Sequence, residues 1–179
     1  MEKDVKSVLI SEQELKQICK RLGEQITRDY TGKKLLVVSV LKGSILFVSD
    51  LLREIKCHCQ IDFLSVSSYS GTKTTGVVKF KKDLDIDPDG MDILIVEDIL
   101  DSGVTLSYLI GVLAGRNANS IKICTLLDKP ANRRADIKAD YVGKVIPDEF
   151  VIGYGLDYDE KYRNLPYVGI LDPSVYGGE

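Results

Sequence analysis

Three carboxylates and a run of small residues follow one strongly apolar segment of the chain. Ile93–Val96 is uninterrupted hydrophobic sequence, Glu97 and Asp98 come directly after it, and a third carboxylate follows three residues later. The turn that begins there offers backbone N–H groups, two hydroxyls and a glycine that permits close approach, at the start of a predicted helix. These features favour a phosphate. The turn comprises Asp101, Ser102, Gly103, Val104 and Thr105.

Glu97 and Asp98 favour the opposite charge. They would repel a phosphate, but they can accept hydrogen bonds from sugar hydroxyls or hold hydrated magnesium, which prefers carboxylates and water. A sugar phosphate that carries hydroxyls and a magnesium-bound pyrophosphate suits both halves of the segment. The alternative is that Asp101 or Ser102 only caps the helix while the two acids end a solvated strand, because acidic helix starts are common.

Other recognisable ligand motifs are missing from the sequence. It has neither the Gly-x-x-x-x-Gly-Lys loop of nucleoside triphosphatases nor a Gly-x-Gly-x-x-Gly after a predicted strand. The run from Cys57 to Cys59 includes the single histidine, His58, but adjacent strand residues point to opposite faces and no fourth ligand lies at finger-like spacing. We therefore predict two buried cysteines that flank an exposed histidine.

Hydrophobic periodicity predicts the elements that position these residues. Ser11 and Glu14 form a capping box that begins an amphipathic helix over 11–30. The residues at 67–76 include no aliphatic side chain, which is typical of an exposed loop. Strands are predicted over 35–41, 58–67, 77–82, 93–96, 120–127 and 140–146, and further helices over 44–55 and 104–113.

This order of strands and helices predicts the fold class. A strand, helix, strand unit normally forms a parallel, right-handed crossover. We therefore expect one three-layer α/β domain over residues 1–179, with a central, mostly parallel sheet flanked by helices. Sheets of this kind bind ligands beyond the carboxyl ends of their strands, which is where the acidic pair and the small-residue turn are expected.

Composition restricts the partners and the location. At 179 residues and 44% hydrophobic content, the chain can bury one core. Its net charge of −3 does not favour binding to nucleic acid or to an anionic membrane. No apolar stretch reaches the roughly 20 residues of a membrane helix, and the charged first residues are unlike a signal peptide. The four cysteines have no framework spacing. We expect a cytoplasmic protein with reduced thiols.

The segment from Ile93 to Thr105 closely resembles the phosphoribosyl-pyrophosphate signature of type I phosphoribosyltransferases, and the remainder resembles the hypoxanthine-guanine branch over nearly the full chain. The resemblance implies the fold of that family, with a small base-binding hood. It implies transfer of the 5-phosphoribosyl group to N9 of hypoxanthine or guanine, with magnesium, to give IMP or GMP and pyrophosphate. A homodimer or homotetramer is also implied.

The resemblance assigns site residues to several segments. The loop that binds pyrophosphate, which in relatives contains a cis peptide before its lysine, matches Leu41, Lys42 and Gly43, and the arginine that contacts pyrophosphate matches Arg163. The loop that closes over the active site matches Ser68 and Tyr69. Purine recognition falls to Lys129, Phe150, Val151 and Asp157, ribose binding to Glu97 and Asp98, and magnesium binding to Glu97, Asp98 and Asp157.

Each of these residues also has an ordinary interpretation. Lys42 is typical of a turn, Tyr69 of a lone surface aromatic, Phe150 of a core and Arg163 of a surface cation. Asp157 could simply end a strand. The assignments gain weight because all of them fit one ligand.

The resemblance also implies roles in the reaction. Lys129 would donate to the oxygen at C6 of a purine stacked on Phe150. Adenine has an amino group there, which would place a donor against a donor and disfavour adenine by about tenfold to hundredfold. Backbone groups near Val151 and Asp157 would contact the C2 edge. Asp101 would accept the proton at N7 as N9 attacks, and closure of the loop would exclude water.

Two features depart from the family pattern or match nothing in it. Val104 occupies a position where some relatives have lysine, so amides and hydroxyls would have to bind the 5′-phosphate. Residues 172–179 match no family element that we can assign.

Two alternative functions stay open. One is a related transferase that uses xanthine or another base. The other is a regulatory protein that retains the fold and binds RNA or DNA. The second requires a contiguous basic face, and the sequence has only small basic groups at 79–82 and 133–134. Asp101 and Lys129 also fit catalysis better than regulation.

Overall fold

The structure, a computed structural model, describes residues 1–68 and 78–177. The described chain forms a six-stranded sheet, a three-stranded sheet and four α-helices. The strands are β1 (Val5–Ile10), β2 (Leu35–Leu41), β3 (Cys59–Ser68), β4 (Val78–Lys82), β5 (Asp92–Leu100), β6 (Ser120–Asp128), β7 (Tyr141–Val145), β8 (Val151–Ile152) and β9 (Val168–Leu171). The helices are α1 (Glu12–Tyr30), α2 (Ile45–Glu54), α3 (Val104–Ala114) and α4 (Pro173–Tyr176).

The large sheet has the order β4-β3-β2-β5-β6-β7, and only β4 runs antiparallel to its neighbour. Its buried strands direct alternate side chains to opposite faces. Val37 and Leu94 belong to a core that includes residues of α1 and α2, whereas Val38 and Ile95 belong to a second core with residues of α3. The predicted three-layer α/β fold with a mostly parallel central sheet is confirmed.

The strand order reverses between β2 and β5. From β2 the chain continues to β3 on one side, and from β5 it continues to β6 and β7 on the other. The connections therefore diverge at this point and leave a crevice at the carboxyl ends of the two strands. Those ends are Leu41 in β2 and Leu100 in β5.

Helix α1 begins as the sequence predicts. The Ser11 side chain accepts a hydrogen bond from the Glu14 backbone N–H at 3.3 Å, and the Glu14 carboxylate accepts one from the Ser11 N–H at 2.8 Å. Two N–H groups that the first helical turn cannot satisfy internally are thus paired. The apolar stripe of α1 is buried against the sheet and α2.

Strand β5 is longer than predicted. The ladder with β6 continues past the apolar run, pairing Glu97 with Thr125 and Leu100 with Asp128. Glu97 and Asp98 therefore lie within a strand and are fixed by its backbone hydrogen bonds. The expectation of a strand that ends at Val96 is wrong. Hydrogen bonds to a neighbouring strand can extend a strand through polar residues, which a search for hydrophobic runs leaves out.

The predicted loop at 67–76 is only partly described. Ser68 ends β3, whereas Tyr69, the rest of that loop and Val77 lie outside the described residues. The expected loop that closes over the site therefore stays an expectation.

The small sheet has the order β1-β9-β8 and is antiparallel throughout. Sequence periodicity does not predict it, because β8 has two residues and β9 has four. The sheet carries Val151. We call this sheet together with residues 150–176 the hood, because the family resemblance implies a base-binding hood in this region. Its own apolar cluster centres on Ile152, Leu165 and Leu171.

The Cys57–Cys59 segment differs in detail from expectation. Strand β3 begins only at Cys59, and both cysteines are half-buried while His58 is exposed. The prediction that both cysteines are buried is therefore wrong in degree, because Cys57 precedes β3 and Cys59 is its first residue. No helix in the described ranges combines the length and apolar character needed to span a membrane.

Candidate active site

A cavity of about 280 Å³ lies at the carboxyl ends of β2 and β5. It brings the acidic pair and the small-residue turn together with the end of β2. Glu97, Asp98 and Asp101 therefore share one crevice, as the sequence predicts. The lining residues are Val40, Leu41, Val66, Glu97, Asp98, Ile99, Leu100, Asp101, Ser102, Gly103, Thr105 and Leu106.

The small-residue turn leads directly into α3. Gly103 is the residue before the helix and has a φ of 77°. A side chain there would be strained, and its Cβ would lie 2.5 Å from the Ile137 side chain. Ser102 and Thr105 are half-buried beside the cavity, whereas Val104 is 47% exposed. The first turn of α3 thus faces a space in which an anion can approach backbone N–H groups.

Arg133 forms hydrogen bonds with the backbone of this turn. Its Nε donates to the Asp101 carbonyl at 2.8 Å, its Nη2 donates to the Leu100 carbonyl at 3.0 Å, and the same guanidinium pairs with the Asp128 carboxylate. The backbone N–H groups of residues 134 and 135 donate to the Ser102 carbonyl at 2.9 and 3.1 Å. The geometry of the turn is therefore fixed by contacts that the sequence did not reveal.

The Asp101 carboxylate has an unusual environment. One of its oxygens, Oδ1, is buried and has no hydrogen-bond partner within the described parts of the chain. A buried acceptor without a partner costs on the order of 1–3 kcal/mol, and more when it is charged. Such an atom is positioned for a donor that the protein does not supply.

Glu97 and Asp98 are half-buried neighbours on β5. Burial raises the pKa of Asp98 to about 6, although a 2.8 Å hydrogen bond from the Ile99 N–H acts against it. Burial and the charge of Asp98 also raise the pKa of Glu97 well above its ordinary value. Both acids would be stabilised by hydroxyl donors or a cation in the cavity.

The Leu41–Lys42–Gly43 segment passes between β5 and the hood. The Leu41–Lys42 peptide bond is cis. A Cβ on Gly43 would lie 1.6 Å from an Asp98 carboxylate oxygen, and a Cβ on Gly155 would lie 1.9 Å from the Gly43 carbonyl oxygen. A side chain at Gly155 would clash with the backbone of Gly43, and a side chain at Gly43 would displace the Asp98 carboxylate. The two glycines thus let Lys42 and its neighbouring amides lie beside Asp98.

Two cations gather around a single carboxylate at this point. Lys42 Nζ lies 3.0 Å from Glu160 Oε2, and Arg163 Nη2 lies 3.2 Å from the same oxygen. Arg163 also pairs with Asp157 at 2.9 Å and donates to the Gly155 carbonyl at 2.8 Å. Hydrogen bonds from Lys42 and Arg163 lower the pKa of Glu160. The two residues expected at pyrophosphate are thus brought together.

The residues expected at the purine lie in the same region of the fold. The Lys129 N–H donates to the Leu100 carbonyl at 3.0 Å, which places Lys129 beside the end of β5. Its ammonium is almost buried, pairing with Asp148 at 2.8 Å and donating to the Glu149 carbonyl at 3.1 Å. Val151 is buried in β8.

Phe150 is held in an aromatic cluster of the hood. The Tyr176 ring stacks on it, with centroids 5.2 Å apart and planes 30° apart, and Tyr158 meets its edge at 5.6 Å and 87°. The Phe150 side chain is nevertheless 39% exposed. Tyr176 thus stacks on one face of the ring, while part of the Phe150 side chain stays exposed.

The three carboxylates expected at magnesium do not form a ready chelate. Across residues 1–68 and 78–177, no three His, Cys, Asp or Glu side chains group closely enough to hold a metal ion. Magnesium commonly keeps several waters and binds one or two carboxylates together with substrate phosphates. Glu97, Asp98 and Asp157 therefore fit an ion that arrives on a diphosphate, and they do not fit a dedicated protein cage.

Sequence reasoning missed four residues that shape the site: Arg133, Asp148, Glu160 and Tyr176. Each acts through a contact with a distant part of the chain, such as Arg133 with Asp101 or Glu160 with Lys42. A charged or aromatic residue in a polar segment carries no local pattern that identifies such a partner. Tyr176 alone lay in a segment that the sequence had singled out, because residues 172–179 matched no family element.

Comparisons with known proteins agree with this geometry. A family model described as a phosphoribosyl transferase domain matches residues 7–159. The hypoxanthine-guanine phosphoribosyltransferase of Staphylococcus aureus is 55% identical over 177 residues, which cover 98% of this chain and 99% of that protein.

Solved structures give the same result. A crystal structure of a hypoxanthine phosphoribosyltransferase from Staphylococcus aureus matches with a TM-score of 0.96 and 55% identity, covering 99% of this chain and 97% of that chain. A mutant hypoxanthine phosphoribosyltransferase from Trypanosoma cruzi, in a ternary substrates complex, matches with a TM-score of 0.92 and 38% identity, covering 97% and 99%. The chain belongs to the phosphoribosyl transferase domain family and, within it, to the hypoxanthine-guanine phosphoribosyltransferases.

Proposed function

We propose that the protein transfers the 5-phosphoribosyl group of phosphoribosyl pyrophosphate to N9 of hypoxanthine or guanine. The products are IMP or GMP and pyrophosphate. One observation carries the proposal: Asp101, Ser102, Gly103 and Thr105 of the turn line a single cavity with Glu97 and Asp98, at the point where the strand order reverses. The names of the relatives at 55% identity support the same reaction.

The two halves of the cavity bind the two ends of the ribose. The turn and the first N–H groups of α3 hold the 5′-phosphate, with the hydroxyls of Ser102 and Thr105 in place of a cation at Val104. Glu97 and Asp98 accept hydrogen bonds from the ribose hydroxyls. Anion binding at a helix N-terminus and hydroxyl binding at buried carboxylates are both expected from electrostatics.

The leaving pyrophosphate is neutralised by residues of the pyrophosphate loop and the hood. Lys42, the amides beside Gly43, and Arg163 face the negative charge that develops as the bond to C1′ breaks. Magnesium, when bound, supplies further positive charge to the diphosphate, and Asp157, Glu97 and Asp98 are the carboxylates that would hold it. Positive charge that develops on the ribose is stabilised by the same two acids of β5.

Asp101 is the proposed general base. As N9 attacks C1′, the purine loses a proton from N7, and the carboxylate of Asp101 accepts it. The unpartnered oxygen of Asp101 supports this role, because a donor from the ligand would satisfy it. Closure over the cavity would exclude water and strengthen the contact.

Base selection rests on Lys129 and Phe150. The Lys129 ammonium donates to the C6 oxygen of a purine that stacks on Phe150. Asp148 and the Glu149 carbonyl already hold this ammonium in place. A 6-amino group would place a donor against a donor, which disfavours adenine.

A substrate panel tests the proposal. Purified protein is incubated with labelled phosphoribosyl pyrophosphate, magnesium and hypoxanthine, guanine, xanthine or adenine in turn. We expect mononucleotide from hypoxanthine or guanine and little or none from adenine. The proposal fails if no purine gives a mononucleotide, and the assigned base selection fails if adenine is used as well as hypoxanthine.

We further propose that residues 1–179 act as one domain, in the cytoplasm, as a homodimer or homotetramer. The family resemblance supports these statements. Light scattering on the purified protein measures the subunit number directly, and a monomer at working concentration would contradict the oligomeric part.

A further inference from the structure

Glu160 lies where a substrate anion is expected. Its Oε2 atom contacts both Lys42 Nζ, at 3.0 Å, and Arg163 Nη2, at 3.2 Å. These are the two cations that the proposed function assigns to pyrophosphate. Of the described residues, Glu160 is the one whose carboxylate joins both, so it occupies a position between them that a phosphate oxygen could take.

The backbone presents Glu160 to these cations from a tight turn. Glu160 has a φ of 59° and its neighbour Asp159 a φ of 53°, both in the left-handed region. The Glu160 N–H donates to Asp157 at 3.0 Å, which anchors the turn to the residue that also pairs with Arg163. The conformation of this turn thus places the Glu160 carboxylate beside Lys42 and Arg163.

The contacts of Glu160 are easily broken. The side chains of Lys42 and Glu160 are each 66% exposed, and ion pairs at such sites are weak. A pyrophosphate group carries more negative charge than one carboxylate and offers several oxygens to the same donors. It can therefore displace Glu160.

Arg163 does not need Glu160 to stay in place. Its guanidinium also pairs with Asp157 at 2.9 Å and donates to the Gly155 carbonyl at 2.8 Å. A purely structural role for Glu160, as the residue that positions Arg163, is therefore not required by the contacts.

We propose that Glu160 is an internal competitor of pyrophosphate: its carboxylate holds Lys42 and Arg163 in the empty site, and it must leave them before the diphosphate binds. The inference rests on the proposed function. Glu160 weakens the binding of phosphoribosyl pyrophosphate and of released pyrophosphate, because each must replace it. Its return to the cations accompanies product release.

The test compares Glu160→Gln with Asp159→Asn in the full chain. Both substitutions remove one negative charge from adjacent positions of the same turn, but Asp159 pairs with Lys161 at 2.9 Å and not with the site cations. Binding of inorganic pyrophosphate in the presence of magnesium is measured by calorimetry. We expect Glu160→Gln to bind it about two- to tenfold more tightly than the wild type.

Steady-state kinetics give a second measurement. In Glu160→Gln the KM for phosphoribosyl pyrophosphate should fall by a similar factor, whereas the KM for hypoxanthine should stay the same. Asp159→Asn should leave both values unchanged. A residue that only supported the fold would not change one KM and spare the other.

Three results would overturn the inference. Pyrophosphate binding in Glu160→Gln could be unchanged, it could be weaker, or the control could gain as much as Glu160→Gln does. Failure of the proposed function would be seen separately, because the wild type would then form no mononucleotide and bind no pyrophosphate. The inference about Glu160 would fail together with the proposed function.

Discussion

Asp101 combines two properties at the scale of a single residue. Its carbonyl is tied to Arg133, which fixes the backbone of the turn, while one carboxylate oxygen is buried without a partner in the described chain. A rigid backbone and an unsatisfied acceptor together suit a group that must meet a substrate proton at a set position. The phosphate contacts proposed for the turn come from its backbone N–H groups and do not involve that carboxylate.

Replacing Asp101 by Asn should therefore separate catalysis from binding. The amide is similar in shape but cannot accept a proton as a carboxylate does, so turnover should fall about 10²-fold or more. Affinity for phosphoribosyl pyrophosphate, measured by calorimetry, should be largely retained. Unchanged turnover would remove Asp101 from the role of general base.

Replacing Lys129 by Ala should affect the base more than the sugar. The substitution removes the donor to the C6 oxygen, and we expect base affinity to fall about tenfold or more. Binding of phosphoribosyl pyrophosphate should change little. Asp148→Asn is the matched control, because it removes the partner of Lys129 but keeps the ammonium. Equal losses for both ligands in Lys129→Ala would contradict the assignment.

At this scale, sequence reasoning succeeds where the site is contiguous. Residues 93–105 carry a strand, two acids and a turn in one segment, and the structure brings all three to one cavity. Glu160 and Arg133 meet their partners from 118 and 32 positions away. No spacing rule identifies such pairs, because the fold alone decides which distant residues meet.

At the scale of elements, the parallel strands and the long helices were predictable and the hood was not. Residues 35–38 of β2 and 93–96 of β5 are buried on both faces and form continuous apolar runs, and α1 has both a capping box and a helical apolar stripe. Strands β8 and β9 are too short to show any period. β9 also pairs with β1, which lies far away in the sequence.

Helix α4 illustrates what the short elements contribute. Asp172 begins it by accepting a hydrogen bond from the Ser174 N–H at 2.9 Å, and Tyr176 at its end stacks on Phe150. The C-terminal segment that the sequence left unassigned thus supports the aromatic ring expected at the purine.

Replacing Tyr176 by Ala should consequently weaken base binding. Aromatic pairs of this kind contribute about 0.5–1.5 kcal/mol, so the KM for hypoxanthine should rise about two- to tenfold. The KM for phosphoribosyl pyrophosphate should stay the same, and Tyr176→Phe should restore base binding because it keeps the ring. Tighter base binding in Tyr176→Ala would mean that Tyr176 obstructs the purine.

At the scale of the whole molecule, the acids of β5 oppose folding. Burial raises the pKa of Asp98 to about 6, so the folded state holds this proton more tightly than the unfolded chain does. The cost of ionising Asp98 is fully present above about pH 6 and is lost below about pH 4. The buried carboxylate of Asp98 therefore lowers the free energy of unfolding at neutral pH, as is common for residues of functional sites.

Asp98→Asn should accordingly stabilise the protein. The amide can still accept from the Ile99 N–H through its oxygen, and we expect the free energy of unfolding at neutral pH to rise on the order of 2 kcal/mol. In urea titrations without magnesium, the gain should shrink as the pH is lowered from about 7.5 to about 5. Asp136→Asn, at an exposed carboxylate, should show no such gain. A neutral or destabilised Asp98→Asn would contradict this.

The proposed reaction requires that the turn at Asp101 holds the 5′-phosphate of a nucleotide while Glu97 and Asp98 face its ribose. A crystal structure of the protein with IMP would show whether they do. We predict phosphate oxygens within hydrogen-bond distance of the Asp101–Thr105 backbone and ribose hydroxyls on the two carboxylates. A nucleotide bound elsewhere, or bound with its phosphate at Lys42 and its ribose away from β5, would rule out this arrangement.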